Sequence, residues 1–477
     1  MTYHESLSYL DSFVNYEKRG GYDYKESFKL DRMRGLASSL GNPQEYFRSI
    51  HIAGTKGKGS TSAIVHSILK EAGYKAGLYT SPHLASFRER IRIGDCLIGE
   101  EDMSRLLAQM KSVMDRMNDD RPTFFEVYTA LSFLYFKENG VDIAVFEVGL
   151  GGSLDATNIL EPLVSAITPI SYEHTDKLGK TLTAIAREKA GIIKDNSICV
   201  LAPQEEEALS AIVKVCNDKK AKAILVGKDM EPAQDKEEGS FPLMRHPASP
   251  VPPAASWAGS IPGLKAGLLC GGIKFKEIDF NDSKELFDVK GMLDDYPGLE
   301  MSLLGAHQVA NAATAIGVIE ALRFHNICID KEAVRRGVKA AKWPGRLEVV
   351  SKNPCLILDG AQNRASAKAL ALAVKRAFKY NTLTLVLGVS SDKDIRGILD
   401  ELLPIAGKII LTKSKVVDRA ADPRKIKELI PGNDDIYLTD NVEEAVEKAR
   451  SVTGNDGLIL VTGSLFVVGE AREILIR

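Results

Sequence analysis

A chain of 477 residues has room for two or three domains. Its 44% hydrophobic and 26% charged residues are ordinary for a globular protein, and a formal charge of -2 excludes a general nucleic-acid binder, which carries a basic surplus. Small anions need only local basic patches, so they remain open as ligands. The six cysteines are scattered with no Cys-x-x-Cys pair, which argues against zinc and a disulfide framework; most are expected to be buried as small hydrophobes. The N-terminal residues lack a basic start followed by an apolar core, and no apolar run reaches the roughly 18 residues of a spanning helix. No membrane association is expected, and the expected compartment is the cytoplasm.

Residues 1–50 read as helical, with Leu30, Met33, Leu36 and Leu40 at helical spacing and Gly41-Asn42-Pro43 as the stop. The stretch His51-Ile52-Ala53-Gly54-Thr55-Lys56-Gly57-Lys58-Gly59-Ser60-Thr61 follows, then an apolar-periodic run through Ile64, Val65, Ile68 and Leu69. It predicts strand, tight loop and helix. Such a loop wraps phosphates: glycines admit close backbone N–H groups, the helix start adds free donors, Lys58 adds a cation, and Ser60 or Thr61 offers a hydroxyl to Mg2+. Gly59 separates Lys58 from Ser60, so the usual Gly-Lys-Ser/Thr order is broken. The bland alternative is a glycine-rich turn with two surface lysines.

Ala76 to Tyr79 predicts a short strand ending in Thr80-Ser81-Pro82-His83-Leu84, at the sheet edge where open parallel sheets bind ligands. Arg88, Arg90 and Arg92 beyond it suggest a solvated edge strand. Residues 100–138 read as two helices, the second opened by a Thr123–Glu126 capping box that accounts for both residues. Ile143 to Val148 reads as a buried parallel strand containing Glu147, and a carboxylate there needs a partner or a metal. Leu163 to Ile170 repeats the pattern and ends at His174. Singly, each polar residue fits a structural role. Together, Ser81, Glu147 and His174 at neighbouring strand ends suit Mg2+ carried on ATP phosphates. Lys189 lies in a helical run and reads as an ordinary surface lysine.

Residues 228–262 break the composition with seven prolines and read as an exposed insertion. Short strands are expected at 268–304, then a helix from Gly305 with His307 and Asn311 on one face. Trp343-Pro344-Gly345-Arg346 marks a domain change. From residue 347, strands at 356–359, 383–388, 408–412, 436–439 and 458–462 alternate with helices. The fold class is therefore α/β: an N-terminal doubly wound domain of P-loop type over residues 1–342, and a smaller Rossmann-like α/β domain over residues 343–477.

Ten stretches, taken together and in order, resemble the folylpolyglutamate synthase and dihydrofolate synthase family of the Mur ligase superfamily. They are His51-to-Thr61, Thr80-to-Leu84, Thr123-to-Glu126, Glu147-to-Asn158, Glu173-to-Thr175, Glu188-to-Gly191, His307-to-Asn311, Trp343-to-Arg346, Asp359-to-Asn363 and Gly463-to-Glu470. The resemblance implies an ATP-dependent ligase that adds L-glutamate to folate or dihydropteroate through an acyl phosphate, releasing ADP and phosphate. It implies ATP at Thr55, Gly57, Lys58, Gly59, Ser60, Thr61, Asn311, Arg346 and Asp359, and Mg2+ at Ser81, Glu147 and His174. Lys58, Glu147, His174 and a carbamylated Lys189 would be catalytic. Leu30, Asp31, Arg32, Met33, Thr123, Leu154, Asp155, Ala156 and Thr157 match folate-binding positions, and Gln362 and Ser464 amino-acid-binding ones. It also implies a monomer with small-molecule partners only.

Five positions depart from the family pattern. Lys56 replaces the usual Asn, Ser153 the usual Arg, Glu173 the usual Asp, Gln362 the usual His, and Arg364 follows Asn363 in place of Pro. Two alternatives stand beside this reading: a diverged Mur-type ligase using another acid or amine, or an ATP- and folate-binding protein that has lost ligation through the changes at Ser153 and Gln362.

Overall fold

The computed structural model describes residues 1–17, 22–117, 120–228, 265, 269–415, 420–430, 432 and 436–476. The proline-rich insertion expected at 228–262 lies, from residue 229 on, outside the described residues. The described strands form two sheets. The first contains β1 (Arg48–Ala53), β2 (Ala76–Tyr79), β3 (Ile91–Ile93), β4 (Cys96–Leu97), β5 (Ile143–Glu147), β6 (Val164–Ile167), β7 (Ile198–Leu201), β8 (Lys222–Lys228), β9 (Leu269–Phe280), β10 (Glu285–Lys290) and β11 (Asp295–Met301). Its order is β11-β10-β9-β8-β7-β6-β1-β5-β2-β3-β4, so β1 sits in the middle between β5 and β6. The run from β9 through β8, β7, β6, β1 and β5 to β2 is parallel, while the flanks β9-β10-β11 and β2-β3-β4 are antiparallel.

The central strands are apolar on both faces because helices cover both. Ile50 and Ile52 of β1 pack under the helices Lys58–Glu71 and Ala306–Ala321, through Ile64, Val65, Ile68, Val309 and Ile316. The opposite face packs on helices Glu100–Arg116 and Phe124–Glu138 beside β2 and β5, and on helix Leu182–Ala190 beside β6 and β7. Helix Ala306–Ala321 is buried through nearly its whole length, as a helix apolar all round must be. The burial of about twenty-five cal/mol per Å2 of apolar surface is what fixes these layers.

The second sheet contains β12 (Glu348–Lys352), β13 (Cys355–Leu358), β14 (Leu383–Leu387), β15 (Lys408–Leu411), β16 (Ile436–Leu438) and β17 (Leu458–Thr462), ordered β12-β13-β17-β14-β15-β16. All pairs are parallel except β12-β13. Apolar clusters lie on both faces, as in a doubly wound sheet. Leu84 of the first lobe reaches the second, where a Cβ on Gly345 would lie 3.1 Å from it and 3.2 Å from Val468.

Three expectations need correction. The arginine run is not a solvated edge: β4 lies outside β3, and Arg90 is 1% exposed. Its Nη1 and Nη2 donate to Glu17 at 2.9 and 2.5 Å, and it stacks on Phe124 and Tyr128. Burial works against its charge, and Glu17 more than offsets this, raising its pKa. Lys189 is buried, not a surface lysine. Cys199 and Cys216 are buried, but Cys96 and Cys328 are exposed and Cys355 is intermediate.

Candidate active site

The loop after β1 is shaped by positions that tolerate no side chain. Gly54 and Gly57 have positive φ, 145° and 84°, where L residues are strained. A Cβ on Gly57 would run into the carboxamide of Asn311, and one on Gly59 would lie 2.7 Å from the Trp343 ring. The loop thus fits between β1, helix Ala306–Ala321 and the start of the second lobe. Thr55 and Lys56 donate their N–H groups to Pro169 O, and Thr55 Oγ1 donates to Ser171 O at 3.2 Å. Helix Lys58–Glu71 starts directly behind with no side-chain cap, leaving its first N–H groups facing the loop. Thr61 Oγ1 is buried there with no hydrogen-bond partner. Ser60, next to it, is also buried.

Two lysines converge on one carbonyl. Lys58 Nζ donates to Gly54 O at 3.1 Å and Lys189 Nζ donates to the same oxygen at 2.9 Å. Burial, reinforced by the Lys58 charge, brings Lys189 down to about 7. The amine is therefore available in neutral form near physiological pH, which an exposed lysine is not.

Glu147 ends β5 beside the loop. It is buried, and its Oε2 accepts the Ser81 N–H at 3.2 Å. Burial lifts its pKa to about 7 against the pull of Lys58. His174 opens the short helix Thr175–Leu178 with φ 50°. The residue is exposed, yet partial loss of water around its ring, aided by Lys393, Lys189 and Lys58 and opposed by Glu173, lowers it to about 4. The neutral imidazole is thereby favoured near neutral pH. Lys56 is lowered by burial, with Glu173 acting against that, and Glu173 Oε1 takes a 3.5 Å contact from Asn363 Nδ2 of the second lobe.

Asn311, buried, donates its Nδ2 to Gln308 Oε1 at 2.9 Å. Asp359 directly follows β13; burial raises its pKa against Arg346, and its two oxygens accept the N–H groups of Leu347 and Ala361 at 2.9 Å. Gln362 follows in the turn, and Ser464 caps helix Leu465–Leu475 after the neighbouring β17. Both stand at C-terminal strand ends of the second sheet.

The residues expected at folate divide in two. Leu30 and Asp31 open helix Leu30–Ser39, and Leu154 is half-buried in the loop after β5. Met33, Asp155, Ala156 and Thr157 are buried. Asp155 Oδ2 accepts the Gly149 and Leu150 N–H groups at 3.0 Å, and Thr157 Oγ1 lies 2.7 Å from His51 Nε2. Arg32 donates to Glu126 at 2.8 Å and to Asp120 at 3.1 Å. Thr123 and Glu126 form the expected capping box.

Residue types and spacing did not reveal Arg90 as a support of the Ser81 loop. Its carbonyl accepts the Thr80 N–H at 3.0 Å and its Nε donates to His83 Nδ1 at 2.9 Å. Glu89 accepts the N–H groups of Leu84, Ala85 and Ser86. The loop bearing Ser81 is thus held from behind by two adjacent residues, and Glu17, the partner of Arg90, is too far away in sequence to give a pattern.

Comparison with known proteins gives matches along most of the chain. The Mur ligase middle domain model matches residues 52–243, and the Mur ligase glutamate ligase domain model matches residues 345–465. A dihydrofolate synthase/folylpolyglutamate synthase of Bacillus subtilis is 34% identical over 94% of both chains. A folylpolyglutamate synthase of Lacticaseibacillus casei is 30% identical over 100% of this chain and 99% of its own. The solved structure of Mycobacterium tuberculosis folylpolyglutamate synthase complexed with ADP superposes with a TM-score of 0.82 at 28% identity, over 100% of this chain and 98% of that one.

Proposed function

This chain belongs to the folylpolyglutamate synthase and dihydrofolate synthase family of Mur ligases, and from that membership we propose that it joins L-glutamate to a folate in an ATP-dependent amide-forming reaction, as folylpolyglutamate synthase, dihydrofolate synthase or both. The observation that carries this reading is the convergence of Lys58 and Lys189 on Gly54 O opposite the buried Glu147. That arrangement serves a polyphosphate and has no use in a plain structural turn.

ATP lies along Thr55, Gly57, Lys58, Gly59, Ser60 and Thr61, with Asn311, Arg346 and Asp359 closing over it. A carboxylate oxygen of the folate or dihydropteroate attacks the γ-phosphorus; the bond to the β,γ-bridging oxygen breaks and ADP leaves. Lys58 and the free N–H groups of helix Lys58–Glu71 offset the charge on the phosphoryl oxygens. The glutamate amine then attacks the acyl carbon, an amide forms, a proton is released and phosphate departs. Gln362 and Ser464 bring that amine from the second lobe, while Leu30, Asp31 and Leu154 face the acceptor. The two lobes together keep water from the acyl phosphate.

Ser81, Glu147 and His174 fit Mg2+: a hydroxyl, a buried carboxylate that accepts the Ser81 N–H, and an imidazole whose neutral form is favoured. Among the described residues no three His, Cys, Asp or Glu side chains gather into a metal site; Ser81, Glu147 and His174 would hold the ion together with the phosphates it accompanies. When bound, Mg2+ supplies positive charge to the polyphosphate. Lys189, with its amine available near neutrality, takes up CO2 as a carbamate and so replaces one of two competing cations by an anion. Gln362 favours a second reading, in which the same acyl transfer serves an amine other than glutamate.

We place the division between the lobes at residues 342 and 343. No described helix is long and apolar enough to cross a membrane, and a cytoplasmic monomer suits substrates that are all small molecules. Phosphate release with ATP, tetrahydrofolate and glutamate tests the function. Release that needs both acceptor and glutamate supports it; release with another amine supports the second reading; ATP binding without release overturns both.

A further inference from the structure

Helix Arg364–Ala377 of the second lobe meets the first lobe at both ends. Asn363 caps its start and touches Glu173 beside the phosphate loop. About 20 Å along the axis, Arg376 leaves the last turn and enters the antiparallel flank of the first sheet. Its Nη1 donates to Glu277 Oε2 on β9 at 2.7 Å. Its Nη2 stands 3.8 Å from Glu285 Oε2 on β10, and its guanidinium carbon lies 3.6 Å from the centre of the Phe280 ring.

Glu285 makes this contact consequential. It is 1% exposed; Oε1 accepts the Gly305 N–H at 2.7 Å, and Oε2 is buried with no hydrogen-bond partner. A buried carboxylate needs a countercharge, and Arg376, from the other lobe, stands beside it as a cation. Gly305 precedes helix Ala306–Ala321, which sets Asn311 against the phosphate loop. Swinging the second lobe away would strand Glu285 and free that helix start. Arg376, Glu277, Glu285 and Phe280 are not among the residues assigned to ATP, Mg2+, folate or the amine.

We propose that Arg376 is a positioning residue, a latch that holds the two lobes in the closed arrangement through Glu277, Glu285 and Phe280. The consequence for chemistry rests on the ligase reading: with the latch loosened, water competes with the amine for the acyl phosphate, regenerating the carboxylate and releasing phosphate without an amide.

The test compares the full chain with Arg376→Met and Arg376→Lys, by the ratio of phosphate released to amide formed and by small-angle scattering without substrates. The wild type is expected to give one phosphate per amide. Arg376→Met should raise that ratio about threefold and increase the radius of gyration, and Arg376→Lys should recover part of both. A ratio and radius unchanged in Arg376→Met overturn the latch. Should Arg376→Met fail to fold, Glu277→Gln, whose side chain is 17% exposed in the same contact, gives the same comparison. If the wild type forms no amide, the ligase reading has failed, and the scattering comparison alone decides the latch.

Discussion

Two ammonium groups on one carbonyl oxygen repel each other unless one of them loses its charge. Lys189 does so more readily because burial and Lys58 both favour its neutral form. We expect intact-mass measurement in bicarbonate at or above neutral pH to show one added CO2 on Lys189, lost on acidification; an unmodified lysine under those conditions contradicts the assignment. Glu147→Gln and His174→Ala should each lower turnover by about a hundredfold or more. Without metal, Glu147→Gln should melt no lower than wild type, since it removes a carboxylate that burial already disfavours. Full activity in either variant would remove them from the reaction. A third residue reports on folding. Burial lowers His66 to about 4, so as pH falls below the ordinary histidine value the unfolded chain binds protons first and stability is lost. Compared with His66→Gln, wild type should lose about 2 kcal/mol between about pH 7 and about pH 5. Urea midpoints of the two proteins that move in parallel would contradict this.

The strand-loop-helix from β1 to Glu71 was readable because each part has its own signal: an apolar run, glycines and a 3.6-residue period. Gly57 shows how little freedom the loop has. Gly57→Ala would meet both the positive φ and the Asn311 carboxamide, and should weaken ATP binding by about tenfold or more by calorimetry; wild-type affinity would mean that the nucleotide lies elsewhere. The parallel strands of the second sheet were equally legible, since burial on both faces leaves continuous apolar runs. β12 was missed because it is an antiparallel edge, half-buried, with the mixed sequence Glu-Val-Val-Ser-Lys. Arg90 was misjudged for another reason. Its alternation with Glu89 and Ile91 is local, whereas Glu17, Phe124 and Tyr128, which bury it, lie on distant elements. The depth of Lys189 was hidden likewise: its helix packs one face against β6 and β7 and points the lysine under β1, which no spacing within the helix reveals.

At the scale of the molecule, two sheets are joined so that their C-terminal strand ends approach one another. β1, β2 and β5 lead into Lys58, Ser81 and Glu147; β13 and β17 lead into Gln362 and Ser464. Leu84, seated against Gly345 and Val468, and Arg376, seated against Glu277, hold the lobes at two separate places. This layout gives one lobe the phosphorylation of an acid and brings the amine from the other. The two half-reactions meet only in the acyl phosphate, so the oxygen that links acid to phosphate is the atom to follow. With a folate acceptor carrying heavy oxygen in its reacting carboxylate, the account predicts that each turnover with ATP and glutamate leaves one labelled oxygen in the released phosphate and one in the amide. Phosphate released without label would contradict it.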